Sequence, residues 1–158
     1  MRNFLSRGST KRLGAPALTA ALVVLGTAGP ALAGSYYSAS SPLKAYQDGV
    51  SQAESYGSFS IRNLSYARND YHYRDARPGG DAAYVETFYD WYQGSTFVSN
   101  VGTDTSPKVT SSYWTASADQ HQLYGGANGV RIRTNVCEDH GTWAKDPCSI
   151  KPTQFFNY

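Results

Sequence analysis

Residues 130–137 alternate without a break, Val130, Ile132, Thr134 and Val136 on one parity and Arg131, Arg133, Asn135 and Cys137 on the other. Successive strand side chains point to opposite faces, so this stretch predicts a strand with one core face and one polar face. "SFSIRNLSYARNDYHYRDAR" (58–77) also alternates: Phe59 and Ile61 share one parity, Leu64 and Tyr66 take the other, and Tyr71 and Tyr73 return to the first. The shift near Arg62-Asn63 predicts a bulge or two separate strands. Arg77-Pro78-Gly79-Gly80-Asp81 then places Pro where a turn presets φ and Gly where positive φ is needed, which predicts a hairpin.

The next strand, "AAYVETFYDWYQ" (82–93), has Val85, Tyr89 and Trp91 on one face and Tyr84, Phe88 and Tyr92 on the other. Large groups on both faces predict a central strand, or one whose outer face lines a binding surface. Further strands are expected at 97–101, 108–116, more weakly at 120–124, and in the closing "TQFFNY"; between them lie a polar loop at 103–107 and a glycine-rich turn at 125–129. Six to eight short strands with such connections predict an all-β fold, a single compact antiparallel β-sandwich or small barrel. The 13 tyrosines, three tryptophans and single methionine agree, since aromatic side chains suit a pleated, half-buried surface. An outer-membrane barrel is excluded by length and by the absence of a repeating outward apolar band.

Three segments are expected: a signal peptide over 1–33, a flexible N-terminal arm over 34–57, and the β domain over 58–158. Arg2, Arg7, Lys11 and Arg12 precede an apolar run at 13–26, and Ala31-Leu32-Ala33 forms a small-residue cleavage site. No later segment approaches the roughly 18–20 apolar residues of a spanning helix, so a secreted, extracellular product is expected, without membrane association. No Arg-Arg pair precedes the apolar run, which favours general secretion over export of a cofactor-loaded protein, and no cofactor is expected.

Losing the signal changes the charge. Of 14 basic residues four leave with it while all 12 acidic ones stay, so the net charge moves from +2 to −2. No basic patch then remains for phosphates, and nucleic acid is not an expected partner. The segment 34–57 is polar, small and tyrosine-dotted, with Tyr36, Tyr37, Leu43 and Tyr46 as its partner-binding residues. Ser41-Pro42 has the chemistry to open a helix with Leu43, Tyr46, Val50 and Ala53 on one face, and the alternative to an arm is a segment integral to the fold. Gly49 weakens such a helix by about 1 kcal/mol.

Local signatures of catalysis are missing: there is no G-x-S-x-G, H-E-x-x-H, phosphate-binding Gly loop or C-x-x-C. Each histidine nonetheless has acidic neighbours: Asp70 and Asp75 for His72, Asp119 for His121, and Glu138-Asp139 for His140. Asp119 and His121 share a strand face and, with a remote His140, have the chemistry for zinc or proton transfer; a solvated polar loop is the plainer alternative. Glu86, Asp90, Glu138 and Asp139 are the carboxylates available for glycoside chemistry, Glu86 and Asp90 flanking Phe88 on one face. In an exported chain, the two cysteines, Cys137 and Cys148, are expected to form one disulfide closing a constrained loop. No catalytic residue or metal ligand is assigned from the sequence.

The order of a signal peptide, the strand pair with "YARND" and "AYVETFYDWY", and "VCEDHGTWAKDPCS" before an aromatic ending resembles small secreted proteins of filamentous actinobacteria. Among them it is similar to the adaptor subunit of secreted umbrella toxin particles, a compact β protein that joins a lectin-like subunit to the stalk of a large toxin chain. The resemblance implies that the N-terminal arm inserts into the lectin-like partner and that the folded body meets the stalk. A non-catalytic protein-binding module, an adaptor or assembly subunit, is therefore expected. A carbohydrate or cell-wall binding module using Trp91, Trp114 and Trp143 as a surface platform is the alternative, followed by a small hydrolase or toxin.

Overall fold

The computed structural model describes residues 33–142 and 144–158, so all but the last residue of the expected signal peptide (1–33), and Trp143, lie outside the described residues. These residues form an antiparallel β-sandwich. Its first sheet contains β1 (Ala33–Tyr36), β2 (Leu43–Gln47), β3 (Val50–Arg62), β4 (Tyr66–Asp75) and β7 (Thr115–Gln122), ordered β1-β3-β4-β7 with β2 also paired to β3. The second is ordered β6-β5-β8-β9, from β5 (Ala82–Gln93), β6 (Thr96–Thr105), β8 (Gly129–Asp139) and β9 (Thr153–Asn157).

The alternations read from the sequence are the inner faces of these sheets. Val130, Ile132, Thr134 and Val136 of β8 are fully buried, as are Val85, Tyr89 and Trp91 of β5, and they meet Phe59, Ile61, Tyr71 and Tyr73 of β3 and β4. The parity shift at Arg62-Asn63 is a tight turn between two strands, with Asn63 and Leu64 both at positive φ (51° and 48°). Positive φ at both central residues suits the right-handed twist of a hairpin.

Two connections differ from expectation. Residues 76–81 do not close a hairpin; they cross between sheets. β4 already pairs with β3 on one edge and β7 on the other, so β5 has no free edge to join there. Residues 108–114 are not a strand either, but the return crossing. Val109 bridges Ala83 in the second sheet and the Ser111 carbonyl accepts from Asp75 N–H in the first, so neither sheet holds the segment over a strand's length. The seventh strand begins only at Thr115 and absorbs most of the weak 120–124 prediction.

Residues 34–57 are not a detached arm, nor a helix from Pro42. β1 and β2 follow each other along the same edge of β3, pairing with Gly57–Ser60 and Val50–Ser55, while 37–42 loop out between them. Tyr36, Leu43, Ala45 and Ala53 enter the core, Tyr36 stacking on Phe59 at 4.7 Å between ring centres. Burial of each large apolar group contributes about 1.5–3 kcal/mol, which holds the segment to the sandwich.

A polar chain crosses the interior. Tyr36 Oη donates to Asn69 Oδ1 (3.1 Å), Asn69 Nδ2 to Thr87 Oγ1 (2.9 Å), and Thr87 Oγ1 to Asp119 Oδ2 (2.9 Å). It links β1, β4, β5 and β7, and every buried group in it has a partner, as burial demands.

Candidate functional site

The loop between β1 and β2 and the residues after Cys148 come together on one side of the sandwich. Cys137 and Cys148 are joined by a disulfide, and Glu138 N–H donates to the Pro147 carbonyl (3.1 Å) and Ser149 N–H to the Val136 carbonyl (2.9 Å). Residues 147–149 thus lie along β8 and present Ile150 beside β2. Between these segments is a groove of about 510 Å³ whose wall includes Tyr37, Pro42, Leu43, Tyr46, Ser149 and Ile150. Tyr37 is 42% exposed, Tyr46 56% and Ile150 71%.

Of the four residues expected to bind a partner through the arm, the fold therefore divides the roles. Tyr36 and Leu43 are buried, Leu43 reaching the groove floor, whereas Tyr37 and Tyr46 face outward. Ile150 was missed by sequence reasoning, because a single apolar residue in a polar stretch carries no periodic signal. Only the disulfide, which fixes the course of the chain beyond Cys148, hinted at its placement.

The expected tryptophan platform does not assemble. Trp91 is 1% exposed, stacked near Tyr89 in the core, because it shares the inward parity of Val85. Trp143 lies outside the described residues. Of the two described tryptophans only Trp114 reaches a surface, the outer face of the first sheet, where its ring meets Tyr56 edge-on at 4.8 Å and Arg74 covers it at 4.4 Å. Tyr56 in turn stacks on His72 at 4.9 Å, its cross-strand partner. Beside this row is a shallow groove of about 350 Å³ walled by Tyr37, Tyr56, Ser58, Asp70 and His72.

The three histidines stay apart. His121 contacts Asp104 (2.6 Å), linking the edge strands β7 and β6 across the open side of the sandwich. His140 lies beyond the Ala82↔Asp139 register and the Tyr89 ring against His121 lies seven residues further along β5, which separates the two histidines by about 20 Å. They share no site. The carboxylates also part: Asp90 is buried between Arg131 (2.8 Å) and Arg133 (2.9 Å), Asp139 pairs with Lys108, and Glu86 and Glu138 occupy opposite parities of the second sheet. Glu86 faces a third groove, of about 580 Å³, with Tyr84, Asn135, Lys145, Asp146 and Lys151.

Electrostatics set the acids apart as well. Burial pushes the Asp119 carboxyl above its ordinary range, with the Asp104 charge adding to it, while hydrogen bonding from Thr87 and the charge of His121 oppose. Burial would raise Glu54 too, but hydrogen bonds from Arg74 and Lys44 outweigh it and hold that carboxyl low. A carboxyl whose folded pKa is raised favours folding while protonated, and that contribution is lost as pH rises through the folded pKa. Asp119→Asn, which keeps an acceptor for Thr87, is expected to match the parent in urea unfolding at acid pH, where the carboxyl is protonated in both folded and unfolded chains, and to be the more stable of the two at neutral pH. A constant difference at both pH values would contradict that assignment.

No protein family, curated protein or solved structure matches this chain. What fold and grooves define is a class, a two-sheet antiparallel sandwich with one disulfide and exposed aromatic grooves. Within that class its function rests on its own surface.

Proposed function

We propose that the chain is a secreted, non-catalytic protein-binding module, an adaptor or assembly subunit of an extracellular complex, toxin-bearing by resemblance. The observation that carries this reading is the groove at Tyr37, Tyr46 and Ile150. Three large side chains stay exposed around one concavity, on a frame held by the β3 edge and the disulfide. Aromatic and aliphatic anchors grouped at a pocket are what a protein interface concentrates its binding energy in. In the adaptor reading this groove receives one partner, the lectin-like subunit, and another face meets the large toxin chain. The test is capture of secreted proteins from native culture medium by the immobilised mature chain. Tyr46→Ser with Ile150→Ser is expected to reduce capture of the main co-purifying protein at least tenfold with the melting temperature kept, since both positions are exposed. Undiminished capture would remove the groove from the interface.

A second reading has its own observation, the Trp114, Tyr56 and His72 row. Flat rings over a shallow groove suit stacking on sugar faces. Trp114→Ala would then abolish retention on insoluble polysaccharides, and a parent chain that binds none of them would end this alternative.

A further inference from the structure

We propose that Asp81, Glu138 and His140 form a binding site for a divalent cation of the zinc class, at the end of the sandwich opposite His121. The register of β5 and β8 builds it. Ala83 pairs with Glu138 and Ala82 with Asp139, so the next position, Asp81, falls opposite His140, and Glu138 and His140 share a parity. His140 Nε2 lies 3.1 Å from Glu138 Oε2 and 3.6 Å from Asp81 Oδ2, and the three ligand atoms all lie within 4.8 Å of one another. Bonds of about 2.0–2.2 Å to a tetrahedral zinc place its ligand atoms about 3.3–3.6 Å apart, so the trio needs only small adjustments to close on an ion.

Charge and solvation point the same way. Glu138 is 6% exposed, and even with His140 protonated two carboxylates leave a net negative charge on the cluster. Arg77, on the wall of the adjoining cavity, is exposed and makes no ion pair among the described residues. That cavity, about 360 Å³, is lined by Asp81, Glu138 and also Gln52. Gln52 is the independent sign of a ligand: it is 6% exposed, the register shift between Ala45 and Tyr46 leaves it without a β2 partner, and it lines this cavity beside Asp81 and Glu138. An ion-bound water or the ion itself in this cavity would give its amide a hydrogen-bond partner.

One imidazole and two carboxylates favour zinc over calcium or magnesium, which prefer all-oxygen shells. The loop is already held in place: Asp146 accepts from His140 N–H through Oδ1 (2.9 Å) and from the Tyr84 hydroxyl through Oδ2. Little ordering remains for the ion to impose.

The test is calorimetric titration of zinc chloride into the chelator-treated, oxidised mature chain, with calcium chloride in a parallel titration. One zinc per chain is expected, bound at least tenfold more tightly than calcium. Asp81→Asn, at an exposed position, and His140→Ala, whose side chain is 13% exposed, are each expected to weaken zinc at least tenfold while keeping the parent's near-UV circular dichroism. His72→Ala and His121→Ala are expected to bind as the parent does. Absence of one-to-one zinc binding, parent-like affinity in both site variants, or loss of binding in His72→Ala or His121→Ala would overturn the site. Preference for calcium would overturn the zinc assignment.

Discussion

A chain begun at Val50, lacking β1 and β2, is expected to lose cooperative unfolding and near-UV circular dichroism. The deletion strips Tyr36 from Phe59, removes Leu43 and Ala45 from the core, and leaves Asn69 Oδ1 without the Tyr36 hydroxyl. The two large side chains together account for about 3–6 kcal/mol of burial, and an orphaned buried acceptor adds about 1–3 kcal/mol. The total rivals the roughly 5–15 kcal/mol that separates folded from unfolded states in an ordinary domain. A detached arm would behave oppositely: its removal would leave the melting temperature unchanged. Thermal denaturation of the truncated and parent chains therefore separates the two arrangements, and an unchanged transition would contradict the integration of this segment.

Replacing both Cys137 and Cys148 by Ala is expected to cost about 3 kcal/mol, the loop-closure entropy that the bridge removes from the unfolded chain. For a domain of this size that lowers the melting temperature by roughly 10 °C. The folded sandwich should persist, because the backbone bonds of Glu138 to Pro147 and Ser149 to Val136 hold the same two segments together. Capture through the groove should fall as well, since Ile150 stands two residues beyond Cys148. Melting of the oxidised chain, the reduced chain and the double variant checks this; equal transitions would show that the bridge constrains nothing.

Much of the fold was legible because burial writes a period of two into β3, β4, β5 and β8, and because two cysteines in a chain expected to be exported have a simple outcome. Which strand pairs with which was less so. The Arg77–Asp81 turn chemistry is genuine, with Gly79 at φ 107°, yet a turn does not specify whether the chain returns to its own sheet or crosses to the facing one. The edge ribbon of residues 34–57 was hidden for another reason. The excursion at 37–42 and the bulge at Gln52 break the parity that connects Tyr36, Leu43, Ala45 and Ala53. Candidate sites depend on such pairings even more strongly. Asp81 and His140 meet only through the β5–β8 register, and Tyr46 and Ile150 line one groove because the disulfide and the backbone bonds beside it turn the chain back along β8. Trp91 shows the converse: its parity with Val85 and Tyr89 was visible, and that parity was the better guide than its identity as a tryptophan.

The proposed adaptor role is tested most directly by running the parent, the Tyr46→Ser/Ile150→Ser variant and Trp114→Ala side by side as bait in native culture medium and identifying what each retains. The parent and Trp114→Ala are expected to hold the same secreted protein in fixed stoichiometry, and the groove variant to release it. Equal retention by the groove variant, or retention lost only in Trp114→Ala, would contradict a partner seated at Tyr46 and Ile150.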